Sequence, residues 1–224
     1  MLPFLRAGFL ATYWPSNSQT PISVIDLKPK IIRKPDPDYC DPKRPTATKV
    51  GISAMSQMNF NDYGRCMARF NSWQNGLLFD LCDQIGDAAR REDRNMFFGS
   101  IHNTLNHLLY VDMRILGILR TGQADAFDAR TIVADDFETL QAKRLEVDEE
   151  IAAFVESNDH AWQDEFREMP GAEGVVTKVP RQLFLMQIFN HQTHHRSQIT
   201  SELHKMGIDY GVTDLPYTPD LPLS

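Results

Sequence analysis

The sequence predicts an all-α protein, a four-helix bundle with a largely irregular N-terminal extension. Three observations lead there. After position 54, apolar residues recur at helical spacing in four separate stretches of about 20 to 30 residues. Before that position proline is dense, with eight of the thirteen between Pro3 and Pro45. Turn-forming residues separate the four stretches, so each apolar stripe must be buried against its neighbours, and a bundle does this.

The chain divides into an extension, residues 1–54, and a bundle domain, residues 55–224. Each proline of the extension fixes its φ, removes a backbone donor and pushes its predecessor out of helical geometry. The segment carries eight Lys/Arg against four Asp/Glu. Its opening, Met1 to Ala11, faintly resembles a secretion signal but lacks a basic leader and contains Pro3. The expectation is a disordered basic tail, or sequence ahead of the true start; Met55 and Met58 stand where the composition changes.

The first helix is expected over about Asn59 to Ala88, with Tyr63, Met67, Phe70, Leu77 or Leu78, Leu81 and Ile85 on its apolar face and Asn61 and Asp62 as cap candidates. The second runs from about Phe97 to Leu119 through Ile101, Leu105, Leu108 and Ile115, and Gly122 ends it. The third covers about Asp135 to Glu156 through Phe137, Leu140, Arg144, Val147, Ile151 and Phe154. Its acidic first turn suits the positive end of a helix dipole. The fourth starts at Pro180 as first helical residue and runs to Met206 before Gly207, with Leu183, Phe184, Ile188, Ile199 and Leu203 apolar. Between the last two, Pro170, Gly171 and Gly174 break any helix, and Val175 to Thr177 suits a short extended piece. The tail, with Pro216, Pro219 and Pro222, is expected to be irregular.

Composition narrows the function. With 42% hydrophobic residues, including 13 Phe, the 224-residue chain has ample core material. Cys40, Cys66 and Cys82 are odd in number and form no CxxC pair, which argues against a disulfide framework and for a reducing cytoplasm. No apolar run reaches the roughly 18 residues of a membrane span. Residues 55–224 carry 15 Lys/Arg against 26 Asp/Glu, an acidic body that would repel a phosphate backbone; neither membrane nor nucleic acid is an expected partner.

The chemistry lies in histidine. His191 and His195 are four apart, so about 40° separates them on one helix face, where neutral imidazoles can chelate a borderline metal. His pairs also occur on wet helix faces, so the pair alone does not establish a site. His194 points to the other side. A zincin needs Glu directly after the first His, and Gln192 stands there, which excludes a metalloprotease. In the second helix His102 and His107 are about 140° apart, so both cannot face inward, and His107 has the richer apolar flanks. Its alternative role is a core histidine bonded to a backbone carbonyl. His160 and His204 read as surface. Trp73, Tyr110 and Phe184 read as core, and Cys66 and Cys82 as core or surface rather than nucleophiles.

Two segments, Ser100-Ile-His-Asn-Thr-Leu-Asn-His-Leu-Leu-Tyr-Val-Asp112 and Asn190-His-Gln-Thr-His-His-Arg-Ser-Gln198, closely resemble the two signatures of the DinB/YfiT-like family. Tyr63 through Asn75 is similar to that family's first helix, and the resemblance spans about residues 58–215. It implies an up-down-down-up bundle, commonly a homodimer. It also implies one divalent ion, usually nickel or zinc, held by His107, His191 and His195. Ser197 stands where the family usually has Gly, still a small residue. Asp112 is expected to pair with Arg196 or another base inside the bundle, and Asn190 and Gln198 to line the pocket or its polar rim. The resemblance further implies thiol-dependent transfer or a related reaction, with a low-molecular-weight thiol and a small electrophile as partners. The alternatives are a non-catalytic metal-binding, stress-associated protein and a structural dimer whose site is vestigial.

Overall fold

A computed structural model describes residues 58–123, 127–157, 162, 165–170 and 176–221. The extension, Cys40, His160 and Val175 lie outside these residues. The architecture is the expected all-α bundle. Its long helices are α1 (Phe60–Gln84), α3 (Ile101–Thr121), α4 (Phe137–Ser157) and α5 (Arg181–Lys205), with a short α2 (Gly86–Arg91) after the first. Around the bundle α1 packs on α4, α4 on α3, α3 on α5 and α5 on α1. Leu105, Leu109, Leu119, Leu140, Ile151, Ile188 and Leu203 are almost fully buried between them.

The ends follow local chemistry. Asn59 caps α1 in a reciprocal capping box with Asp62, so Asn59 rather than Asn61 is the cap. The single first helix expected to Ala88 is broken at Gly86, whose φ of 79° is left-handed, and restarts as α2. α3 begins four residues later than expected because Ser100 caps it through the Asn103 amide, leaving Phe97 and Phe98 in the turn before it. Gly122 closes α3 in the αL conformation. Asp136 caps α4 through the Thr139 amide. Pro180 is the cap of α5, one residue ahead of the first helical position expected for it.

Of the alternatives Leu77 and Leu78, Leu78 is the buried one and Leu77 is exposed, while on α5 one apolar assignment changes: Leu183 is exposed and Leu185 takes the inward place. Trp73 and Tyr110 are only half-buried, whereas Phe184 is core. The helix-free connection contains two antiparallel strands, β1 (Phe166–Pro170) and β2 (Val176–Pro180), in a register that pairs Phe166 with Pro180, and Val176 and Thr177 of the expected extended piece open β2. The C-terminal tail runs back along α1: Gln74 donates to the Val212 carbonyl at 3.1 Å and Arg69 to that of Pro219 at 3.3 Å. At Gly64 a Cβ would meet Val155 Cγ1 at 3.2 Å, so a glycine lets α1 approach α4 closely.

A closed polar ring crosses the bundle and ties all four long helices together. Asp112 of α3, fully buried, accepts from Arg144 of α4 at 2.8 Å and from the Gln192 amide of α5. Arg144 also pairs with Asp148 at 2.9 Å. Asp148 accepts from Asn71 and Asn75 of α1 at 3.2 and 3.0 Å. Their amide oxygens accept from Arg196, which returns to the Gln192 carbonyl at 3.1 Å. The partner of Asp112 is therefore Arg144, not Arg196. Two carboxylates and two guanidiniums leave the ring neutral, as burial requires.

Candidate metal centre

α3 contributes His107 and α5 contributes His191 and His195, and the structure brings the three together: one nitrogen from each lies within 4.8 Å of the others. Their ring centres are 5.0, 4.8 and 4.4 Å apart and their planes are inclined by 56 to 76°. A ring centre sits about 1.1 Å behind its nitrogen. Rings sharing an ion at about 2.1 Å and at angles of about 90 to 109° would thus have centres roughly 4.5 to 5.2 Å apart. Two of the three distances fall within that range and the third, between His191 and His195, lies just below it.

Second contacts choose the nitrogens. The Nδ1–H of His107 donates to the Ala129 carbonyl at 2.9 Å, which leaves Nε2 with its lone pair directed into the site. The Nδ1–H of His195 donates to Gln198 Oε1 at 2.7 Å, with the same result. His107 Nε2 and His191 Nε2 stand 3.1 Å apart. Two bare nitrogens at that distance repel unless a proton or a cation lies between them. The distance is also the one two imidazoles adopt around a single ion. His191 Nδ1 is buried with no protein partner among the described residues. The donor set, three neutral imidazoles, fits a borderline divalent cation.

Burial keeps all three rings neutral. It holds His107 below the ordinary histidine range and, with repulsion from the neighbouring imidazoles, takes His191 down to about 3; His195 falls to about 4, burial again the main cause. Phe98 stacks on His107 with centres 4.0 Å apart and reaches His195 at 5.6 Å, an apolar wall on one side of the tripod.

The other candidates fall elsewhere. His194 and His204 are exposed; His194 meets the ring of His195 and stands 3.3 Å from the Gln198 amide nitrogen, at the edge of the tripod. His102 is a correction. It is as deeply buried as His107, on another side of α3, where its Nε2 meets the Asn106 amide at 3.2 Å. Gln198 orients His195, whereas Asn190 is exposed. Ser197 is also exposed, so no helix packs tightly where the family has Gly. Cys66 and Cys82 are buried free thiols; burial raises both, Cys82 to about 12, so neither is a ready nucleophile. Sequence reasoning missed Phe98, the Ala129 carbonyl and Asn106. The Asn106 Oδ1 accepts from the amides of Val133 and Ala134 at 2.8 and 2.9 Å and so pins the segment that carries Ala129.

Fold and site together define a four-helix bundle carrying a three-histidine cluster of the kind that holds a divalent ion. The chain belongs to the DinB family, whose model matches residues 55–222. No curated protein matches the chain. Among the described residues no helix is long and apolar enough to cross a membrane.

Proposed function

We propose that this protein binds one divalent ion, nickel or zinc, through His107, His191 and His195, and uses it to join a low-molecular-weight thiol to a small electrophile. The observation that carries the reading is the convergence of three imidazoles, in two of which the bond donated by Nδ1–H leaves Nε2 free for a common cation. When bound, such an ion supplies a positive charge that lowers the pKa of a thiol or water beside it. The residues supply the rest. Ala129 and Gln198 hold two rings in register, Phe98 excludes water from one flank, and three neutral ligands leave the charge of the ion undiminished. The reaction forms a carbon–sulfur bond as the bond from carbon to the electrophile's leaving group breaks; that group departs with the bonding pair and the thiol proton passes to solvent or buffer.

A reducing cytoplasm belongs to the same proposal and is supported by the two free thiols of α1; a homodimer belongs to it as well, and sedimentation tests that. The function is tested with purified protein, a thiol and a chromogenic electrophile, with and without chelator. Turnover that chelator abolishes and zinc or nickel restores is the expected result. Stoichiometric metal without turnover across a panel of thiols would favour a binding protein instead.

A further inference from the structure

On the side of α5 roughly opposite the histidines, a cleft of about 400 Å³ opens between α1 and α5 and is bounded at one end by Tyr210 of the returning tail. That volume is within the range of small-molecule sites. Phe70, Leu78 and Leu81 of α1 make one wall apolar. Thr193, Ser197 and Thr200 line the α5 wall, and their hydroxyls donate to carbonyls of their own helix at 3.0, 2.6 and 3.2 Å. The strongest donor facing the cleft is therefore Arg196.

Arg196 is 6% exposed, yet its hydrogen bonds go to neutral oxygens, the amides of Asn71, Asn75 and Gln192. The ring's carboxylates, which balance its charge through space, are in direct contact with Arg144 instead. A buried guanidinium whose direct partners are all neutral oxygens gains a stronger, charge-assisted hydrogen bond from a carboxylate that reaches it. The cleft is suited to one, because no Asp or Glu lines it although the surrounding body is strongly acidic. His204 at its edge is the other basic group. We propose that this cleft is a second ligand site, independent of the histidine cluster, for a small amphipathic carboxylate whose head meets Arg196 and whose apolar part lies along Phe70, Leu78 and Leu81.

The probe is octanoate, with 1-octanol as its uncharged counterpart, titrated calorimetrically into the full chain. Arg196→Ala would also break the buried ring, so the cleft is blocked from its rim: Thr200→Trp fills it, and Leu77→Asp places a carboxylate at its half-open lip. Octanoate should bind saturably and at least about tenfold more tightly than octanol, the worth of one charge-assisted hydrogen bond. Both variants should weaken it at least tenfold, while His191→Ala leaves it unchanged, which separates this site from carboxylate binding at a metal. Equal binding of acid and alcohol, no saturable octanoate binding, indifference to Thr200→Trp, or loss in His191→Ala would each overturn the proposal.

Discussion

The imidazole of His107 and the backbone carbonyl of Ala129 form a hydrogen bond of 2.9 Å that joins the centre of α3 to the segment before α4. This bond gives His107 both of the roles that its sequence context suggested. It is a buried histidine satisfied by a carbonyl, and the same bond frees its other nitrogen for a cation.

Since Asn106 pins that segment through Val133 and Ala134, Asn106→Ala should act on the metal without touching it. One buried and one half-buried amide lose their acceptor, so a destabilisation of about 2 kcal/mol is expected, together with a 10- to 100-fold loss of zinc affinity. Chemical denaturation and competition with a chromophoric chelator measure the two effects. Unchanged affinity in a destabilised protein would separate the clamp from the site.

Removing a ligand is a cleaner test. His107→Ala and His195→Ala should each reduce bound metal to below about a tenth of the parent, because two imidazoles are a poor site. His204→Ala, at an exposed position, should keep full occupancy. His102→Ala should lose stability through its buried cavity yet keep the metal. Elemental analysis of the four variants decides the assignment, and equal occupancy in all would refute it.

Acid should destabilise the metal-free protein. His102, His107, His191 and His195 all have depressed folded-state pKa values, the last two about 3 and about 4. The unfolded chain protonates these rings near the ordinary 6.5, so between there and about 4 it binds more protons than the native state. Their contribution is fully present above 6.5 and is lost as pH falls through the folded values. Asp112 works in the opposite sense. Burial raises it from 3.8 to about 6, so its contribution is present below 3.8 and lost as pH rises through 6. Four groups against one make the net effect a lower urea midpoint at pH 5.5 than at pH 7.5. A midpoint that stays level or rises would show that the rings are not held neutral.

Gln192 also explains why the motif does not carry a zincin glutamate. Its amide nitrogen donates to Asp112 while its oxygen accepts from Arg196, a pair of roles a carboxylate cannot fill. Gln192→Glu would set two buried carboxylates against each other, and a loss of about 3 kcal/mol is expected, with no gain of peptidase activity. Thermal and urea unfolding measure it.

Much of the bundle was legible because each signal was local. Gly122 and Gly207 both adopt the positive φ that their stop positions demanded, and the stripes of α3 and α4 face the core nearly as spaced. The tripod was reachable from helical spacing and family signatures together. What escaped depends on the alignment of one helix against another. A buried base for Asp112 was expected, but Arg144 and Arg196 both occupy inward positions, and the offsets of α4 and α5 against α3 decide which of them meets it. His102 escaped because a single inward face was assumed, whereas α3 is enclosed on most sides. The Ala129 carbonyl has no side-chain signature at all.

The ring through Asp112, Arg144, Asp148 and Arg196 stands beside the tripod rather than within it. Sliding α5 by one turn, about 5.4 Å, would strand its charges, so the helices are locked in position by groups that never touch the cation. The socket should therefore be set before it is filled. Zinc could be exchanged for nickel, or a histidine for another donor, while the scaffold keeps its alignment.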